Sequence, residues 1–419
     1  MSAQASVSAG ARPEGRVALI QRVFRALSYR DFRIMWLGAC TSTIGTFVQQ
    51  FAQAYLVYDM TKDYFYSALD VFLGQLPIVM FSLIGGVFAD RMDRRKLLLM
   101  SQYIQMTSAF LLTILFHFGL VHVWHILTLS FVAGLGQSFG GPAYSALLPT
   151  LVEPQDLNNA VAMNSIQFNL ARIVGPALGG AAFAALGAQW CFGLNGLSFI
   201  AVILSLYTIN VKFIPPKSSE RIIDSMKEGF RFIRAREGMQ QLIVLSFCMT
   251  ALGFPLTVFL PGFVHEVFKK GPETLALLLM CSGAGSLTGG LIVAAVGKLK
   301  HQGQTSLILV TGLGALIAGF ALSRWLPLSC VLIFAVGACV MSSASLLLTL
   351  AQLSVGDEMR GRVMSVFNLS FRSGMPVGGL LLGKLNAAFG VSVTLASSGS
   401  ILVALALYFL LIHRRVATL

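Results

Sequence analysis

The sequence predicts an all-α integral membrane protein, with twelve transmembrane helices in two pseudo-symmetric six-helix bundles. Three observations carry this. Of the 419 residues, 56% are hydrophobic and 11% charged, against about 25% charged in a soluble domain; mean hydropathy is +0.77. Apolar runs of about 20 residues, long enough to cross a bilayer core, recur along the chain. One long polar break, at 211–236, divides these runs into two sets of six.

Taken in order, residues 1–15 are small and polar, as in a disordered tail. Residues 16–33 place Arg16, Arg22, Arg25, Arg30 and Arg33 among Leu, Ile, Val and Phe, which suits a short amphipathic helix on anionic lipid. No cleavable apolar core precedes the first span. The first bundle is expected over 34–210, with spans near 34–58, 65–88, 97–119, 124–148, 158–186 and 188–210. The linker 211–236 holds Pro215-Pro216 and a run of cations, Lys217, Arg221, Lys227, Arg231, Arg234 and Arg236. Ile222, Ile223, Met226, Phe230 and Ile233 recur there at helical spacing, predicting a surface helix. The second bundle follows over 237–413, with spans near 237–262, 272–297, 305–324, 327–354, 361–388 and 391–412. An internal repeat at a spacing of 203 residues relates 158–187 to 361–390; each segment follows an acidic loop and carries an arginine, Arg172 or Arg372. Repeated small residues for helix packing alone would give a similar match.

Charge sets the orientation. The net charge is +13, and the segments on one side of this topology hold 23 of the 30 Lys and Arg residues. The positive-inside rule then puts both termini and the linker in the cytoplasm, and accounts for the charge without a nucleic-acid partner. Cys40, Cys191, Cys248, Cys281, Cys330 and Cys339 all fall in apolar runs with no CxxC pair, so disulfides and metal ligation are not expected. There is no nucleophile elbow or Walker loop; Gly283-Ala-Gly285-Ser-Leu-Thr-Gly289 lies inside an apolar run and lacks the following Lys. The expectation is a protein that is not an enzyme and holds no cofactor.

Polar residues inside the spans are the functional candidates, because lipid does not tolerate them. Gln49 and Gln53 lie on one stripe of the first span with Ser42 and Thr46, and Gln137 lies in the fourth. Asn169 and Arg172 share a face of the fifth, and Asn368 and Arg372 a face of the eleventh. These groups either line a water-filled path or bond one another between helices. An arginine at helix centre costs roughly 2.5–3.5 kcal/mol on insertion scales, and neither Arg172 nor Arg372 has an acid near it in sequence. A cationic cavity for an anionic or oxygen-rich ligand is one reading; bonding to backbone carbonyls or snorkelling is the other. Asp70 is the one acid placed within a span. It is the candidate for a coupling proton, or else an outer-vestibule residue.

The densest charge cluster is Gly86-Val-Phe-Ala-Asp90-Arg91-Met-Asp93-Arg94-Arg95-Lys96, between the second and third spans. It resembles the cytoplasmic loop of the major facilitator superfamily, G-x-x-x-D-R-x-G-R-R/K, except that Asp93 replaces a Gly. The resemblance implies two parallel six-helix repeats with a transport site between them. It also implies a gate formed by Gly86, Asp90, Arg91 and Arg94, with Asp90 meeting the start of the eleventh span near Gly361 and Arg362. Gly175-Pro176-Ala-Leu-Gly179-Gly180 resembles the end of the superfamily's antiporter motif, with Ala162 and Ala171 at the two upstream Gly positions. Small residues and a bending Pro suit a helix that seals and reopens a cavity. Tyr29-Arg-Asp31-Phe32-Arg-x-x-Trp36-x-Gly38, Asn164–Pro176 and Arg360-Gly-Arg362-Val-Met-Ser-Val-Phe367 resemble the macrolide-efflux and enterobactin-exporter branch. Two departures are Thr46 after Gly45, where that branch often has an acid, and Ser130, where the superfamily often has an Arg. The resemblance implies an inner-membrane exporter working by alternating access, and a monomer is the expected working form. Its partners would be a small-molecule substrate, siderophore-like or otherwise anionic, and a proton or other coupling ion. Efflux of lipophilic compounds, or siderophore uptake on the same fold, is the alternative.

Overall fold

The computed structural model describes residues 24–209, 222–297, 300–413 and 415–416, apart from the side chains of Leu83, Val87, Asp90, Asp357 and residues 222–226. The tail 1–15, Arg16 and Arg22, and the linker's Pro215-Pro216, Lys217 and Arg221 lie outside the described residues, as do the side chains of Asp90, Ile222, Ile223 and Met226. Among the described residues there is no strand. The helices of the first half are α1 (Arg30–Thr61), α2 (Tyr64–Arg91), α3 (Arg94–His117), α4 (Val123–Leu147), α5 (Leu157–Leu186) and α6 (Ala188–Thr208). A helix in the linker, α7 (Ile222–Arg234), leads to α8 (Glu237–Gly253) and α9 (Pro255–Phe263). Then come α10 (Pro272–Val296), α11 (Gln302–Leu322), α12 (Leu326–Leu353), α13 (Asp357–Phe389) and α14 (Val391–Leu411).

Nine helical segments among the described residues are long and apolar enough to cross a membrane. Helices α1, α4 and α13 have the length, at 32, 25 and 33 residues, but fall short in apolarity. These three carry Gln49 and Gln53, Gln137, and Asn368 with Arg372. Their polarity is concentrated on side chains that a lipid-facing helix would not hold.

Local chemistry sets the helix ends. Asp63 caps α2, its side chain accepting from Phe65 N. Asp93 caps α3, accepting from Arg95 N and Lys96 N. Its φ of −60° needs no glycine, so the departure from the loop pattern exchanges a flexible turn for a helix cap. Pro255 starts α9 and interrupts what the sequence reads as one span over 237–262, and a π turn, Val264–Phe268, carries the chain on to the surface.

The halves repeat one packing scheme. In the first, α1 packs on α5 and α6, α2 on α4, and α3 on α4 and α6. In the second, α8 packs on α13 and α14, α10 on α12, and α11 on α12 and α14. The halves meet where α2 lies on α13 and α5 on α10. Glycines permit these close approaches. A Cβ at Gly175 or Gly179 would strike Phe47 or Phe51 of α1, and one at Gly180 would strike Ala276 of α10. Gly374 and Gly378 meet Thr250 and Ala251 of α8 in the same way, and Gly379 faces Ala68 of α2. These matching contacts relate the halves by 199 residues, which corrects the expected 203 by about one helical turn. The sequence match had aligned the small residues at the helix ends rather than those at the crossings. On this register Arg172 and Arg372 are one residue out of step, so they leave their helices in directions about 100° apart.

Gly285 of α10 sits against the carbonyl of Phe334 on α12, and Gly289 against Ala338. Gly285→Val is expected to cost about 1–3 kcal/mol by overpacking. The readout is the temperature at which the detergent-solubilised protein loses its monodisperse chromatographic peak, which should fall by several degrees.

One end of the molecule, the basic end, is rich in Arg and Lys; the opposite end is the far end. The far end is closed between the halves. Tyr58 and Tyr64 pack on Gly262, Gly180 abuts Ala276, and Gly383 abuts Phe65 and Ala68. At the basic end, Gly86 of α2 and Gly361 of α13 have open space where a Cβ would stand.

Candidate functional site

A polar network crosses the interior of the first half. Asp70 of α2 is 7% exposed. Gln53 Nε2 of α1 contacts its two carboxylate oxygens at 2.9 and 2.8 Å and also reaches Ser130 Oγ of α4 at 2.7 Å. Ser130 Oγ donates to Asp70 Oδ1 at 2.5 Å. Gln49 Nε2 donates to Gln53 Oε1 at 3.3 Å, and Asn195 Nδ2 of α6 donates to Gln49 Oε1 at 2.7 Å. Ser198 ends the chain by donating to the Asn195 carbonyl and, at 3.2 Å, to its Oδ1. A carboxylate accepts only, and every group aimed at Asp70 is a donor. Two donors, Gln53 and Ser130, therefore hold the carboxyl through three contacts in an otherwise apolar bundle.

The structure brings together three of the expected residues, Gln49, Gln53 and Asp70. It adds Ser130, Asn195 and Ser198. Ser130 stood out in the sequence only as a missing arginine; Asn195 and Ser198 were not singled out, and the signal available for Asn195 was an amide isolated in an apolar run. Gln137 lies apart, accepting from Gln105 Nε2 of α3 at 3.2 Å. Asn169 turns back on its own helix, donating to the Ser165 carbonyl at 2.8 Å. Arg172 is half-buried where α5 crosses α10 at Gly283; Asn368 and Arg372 are exposed on α13. Among the described residues neither arginine makes an ion pair or a side-chain hydrogen bond. No group of His, Cys, Asp and Glu suited to a metal occurs among them, and all six cysteines are free.

At the basic end Arg94 joins three helices of the first half, donating to Ala146 O at 2.9 Å and Ala89 O at 3.3 Å. Arg91 is exposed. Arg362 pairs with Glu228 of α7, and its carbonyl lies against Gly229. The linker helix is thus tied to the start of α13. The first half is tied down in a comparable way: Arg25 Nε reaches Asp156 Oδ1 at 3.1 Å, and Tyr29 Oη donates to Asp156 Oδ2 at 2.7 Å. That hydrogen bond to a carboxylate raises the Tyr29 phenol above its ordinary range. Pro176 is buried in α5 between Gly175 and Gly179, the glycines that seat α5 on α1.

The family model described as transmembrane secretion effector matches residues 22–418. The chain belongs to that family of major facilitator transporters. Within it, the transporter is 24% identical over 390 residues to macrolide efflux protein A of Streptococcus pyogenes, covering 90% of this chain and 94% of that protein. It is 25% identical over 387 residues to the enterobactin exporter EntS of Shigella boydii serotype 18 (strain CDC 3083-94 / BS512), covering 91% of each. Its fold matches a bacterial homologue of the human lysosomal transporter Spinster, crystallised inward-facing and unoccupied. That likeness has a TM-score of 0.69 at 14% identity, over 94% of this chain and 96% of that one. The transporter is a multi-pass membrane protein, as the sequence leads one to expect.

Proposed function

We propose that this transporter exports a small anionic or polyoxygenated organic molecule across the inner membrane by alternating access, with Asp70 carrying the coupling proton. It would do so as a monomer of twelve spans in two six-helix bundles, with the basic end and both termini in the cytoplasm. The observation that carries the reading is an imbalance of charge. Asp70, the one acid set well inside these helices, is engaged by Gln53 and Ser130, whereas Arg172 and Arg372 are without a partner among the described residues. In a cavity between the halves, two unneutralised guanidiniums would attract carboxylate or catecholate groups through paired donors. A cavity for lipophilic cations needs the reverse, a free carboxylate.

The closed far end and the open space at Gly86 and Gly361 suit a cavity facing the cytoplasm. In the opposite state, Asp90, Arg91 and Arg94 would close on the start of α13, and Arg362 would exchange its Glu228 partner for that contact. The Gly175-Pro176 and Gly179-Gly180 pairs would let α5 rock on α1 while its end parts from Ala276. Macrolide-type efflux of lipophilic compounds is the second reading, favoured by the similarity to macrolide efflux protein A; siderophore uptake on the same fold is a further alternative.

The test is transport in proteoliposomes under an imposed pH gradient, with a radiolabelled siderophore beside a lipophilic cationic dye. Gradient-driven movement of the siderophore, reduced at least about tenfold in Arg172→Ala and in Arg372→Ala (loss of one charge-assisted pair, about 1.5–3 kcal/mol), supports the reading. Dye movement that is indifferent to both substitutions overturns it in favour of lipophilic efflux.

A further inference from the structure

Among the described residues, two buried hydroxyls between Asp70 and the far surface make no well-formed hydrogen bond. Tyr64 is 6% exposed and Ser67 5%, and among the described residues neither Tyr64 Oη nor Ser67 Oγ makes a hydrogen bond of normal geometry. A buried unpaired hydroxyl is costly, and the usual resolution is an ordered water. Tyr64, Ser67 and Asp70 follow one another on α2 at three-residue steps, each about 4.5 Å along the axis and turned about 60° from the last. Helical side chains lean toward the helix N-terminus, which for α2 is the far end. The stripe therefore winds from the half-to-half interface, where Tyr64 packs on Gly262 and Phe259, into the first half, where Asp70 meets Gln53 and Ser130.

The outer end of this stripe meets water. Tyr58 Oη donates to Glu266 Oε1 at 2.5 Å, and Glu266 is exposed on the π turn after α9. Tyr64 stands beside Tyr58, its ring centroid 5.0 Å away. Glu266 lines an open pocket of about 650 Å³ with His265, Lys269 and Lys270. Other charged groups at this end are Glu273 on α10, Asp59, Lys62 and Asp63 around the start of α2, Arg324 after α11, and Lys384 of α13, whose Nζ lies 5.8 Å from the centroid of the Phe65 ring. Asp59 and Lys62 pair with each other, and Asp63 is occupied capping α2.

We propose that Glu266, Tyr58, Tyr64 and Ser67, with water in the gaps, form the route by which a proton from the far side reaches Asp70. The inference rests on Asp70 being the coupling carboxylate. Glu266 takes a proton from far-side water. Each hydroxyl or water along the stripe then accepts one proton on a lone pair and releases its own from the other side. Asp70 ends as the neutral acid, and every relay group is returned unchanged. The Tyr58–Glu266 hydrogen bond spans the two halves, so the same contact that closes the far end also forms the outer step of the route.

The experiment uses the proton itself as probe, with no organic substrate present. Full-length protein in uniformly oriented proteoliposomes is adsorbed to a solid-supported membrane, and the far-side pH is stepped down. Wild type should give a transient charge displacement, and Asp70→Asn should abolish it. Tyr64→Phe and Ser67→Ala should keep its amplitude, because Asp70 still titrates, but slow its decay severalfold. Ser67→Thr, which retains the hydroxyl, should restore the rate. Wild-type decay in Ser67→Ala and in every Tyr64→Phe preparation that folds would overturn the route while leaving Asp70 as the proton carrier. An undiminished displacement in Asp70→Asn would instead overturn the coupling assignment on which the route depends.

Discussion

Asp70→Asn is expected to yield a folded, inserted protein whose transport no longer responds to a proton gradient. The substitution is nearly isosteric. The Asn carbonyl can still accept from Ser130 Oγ and Gln53 Nε2, which hold the carboxyl at 2.5 and about 2.9 Å. What changes is that one acceptor oxygen becomes an NH₂ facing the Gln53 donor. Relief requires Gln53 to turn its amide, which disturbs its bond from Gln49 and, through that, Asn195. Hydrogen bonds to a charged group contribute about 1.5–3 kcal/mol and neutral ones about 0.5–1.5, so the stability loss should stay near 1–2 kcal/mol. The functional loss is of another order. A site that cannot exchange a proton leaves the gradient with nothing to act on, and the transport rate with a gradient should fall to the rate without one. Substrate exchange at equal pH on both sides should survive, because it needs only the conformational change. Paired assays in proteoliposomes check this; gradient-driven transport at the wild-type rate would remove Asp70 from the coupling role.

The helices were legible because each apolar run is bounded by residues with their own reasons to stop a helix: Asp63 and Asp93 as caps, Gly187 and Gly390 at positive φ. The linker helix was legible from its periodicity. The break at Phe254 was less so, since Pro255 sits in a run that stays apolar on both sides. The site divides along the same line. Gln49 and Gln53 were visible because they share a stripe of one helix, and Asp70 because it is an acid in an apolar run. Their mutual bonds were not visible, since Gln53 and Ser130 are 77 residues apart and Asn195 is 146 from Gln49. Only packing joins α1, α2, α4 and α6. Ser130 shows the cost of reading by absence: it registered as an arginine lost, whereas its hydroxyl is the shortest contact Asp70 makes. The far-end closure escaped for a similar reason. Tyr58 and Glu266 lie 208 residues apart, and tyrosines near the end of an apolar run look like ordinary interfacial aromatics.

Gly262→Val should shift the transporter away from the state with its far end closed. Gly262 is buried in α9, and a Cβ there would collide with the rings of both Tyr58 and Tyr64, which come from the opposite half. Neither ring can withdraw easily. Tyr58 is held by Glu266 and Tyr64 by Phe259, whose ring centroid is 5.6 Å away. Overpacking of this kind costs typically 1–3 kcal/mol. Here the strain acts on one conformation only, because parting the halves moves the tyrosines off α9. Taken as a bias between two states, 1–3 kcal/mol is a shift of about 5- to 150-fold in their ratio. Spin labels at Asp59→Cys and Lys270→Cys, both exposed at the far end and on opposite halves, report it as a longer-distance population in pulsed dipolar spectra. Gly262→Ala, which adds the same Cβ without the branch, should move the distribution in the same direction by less. An unchanged distribution in a folded Gly262→Val protein would mean that the two halves do not hinge at this contact, and that the Tyr58–Glu266 bond is a fixed part of the fold.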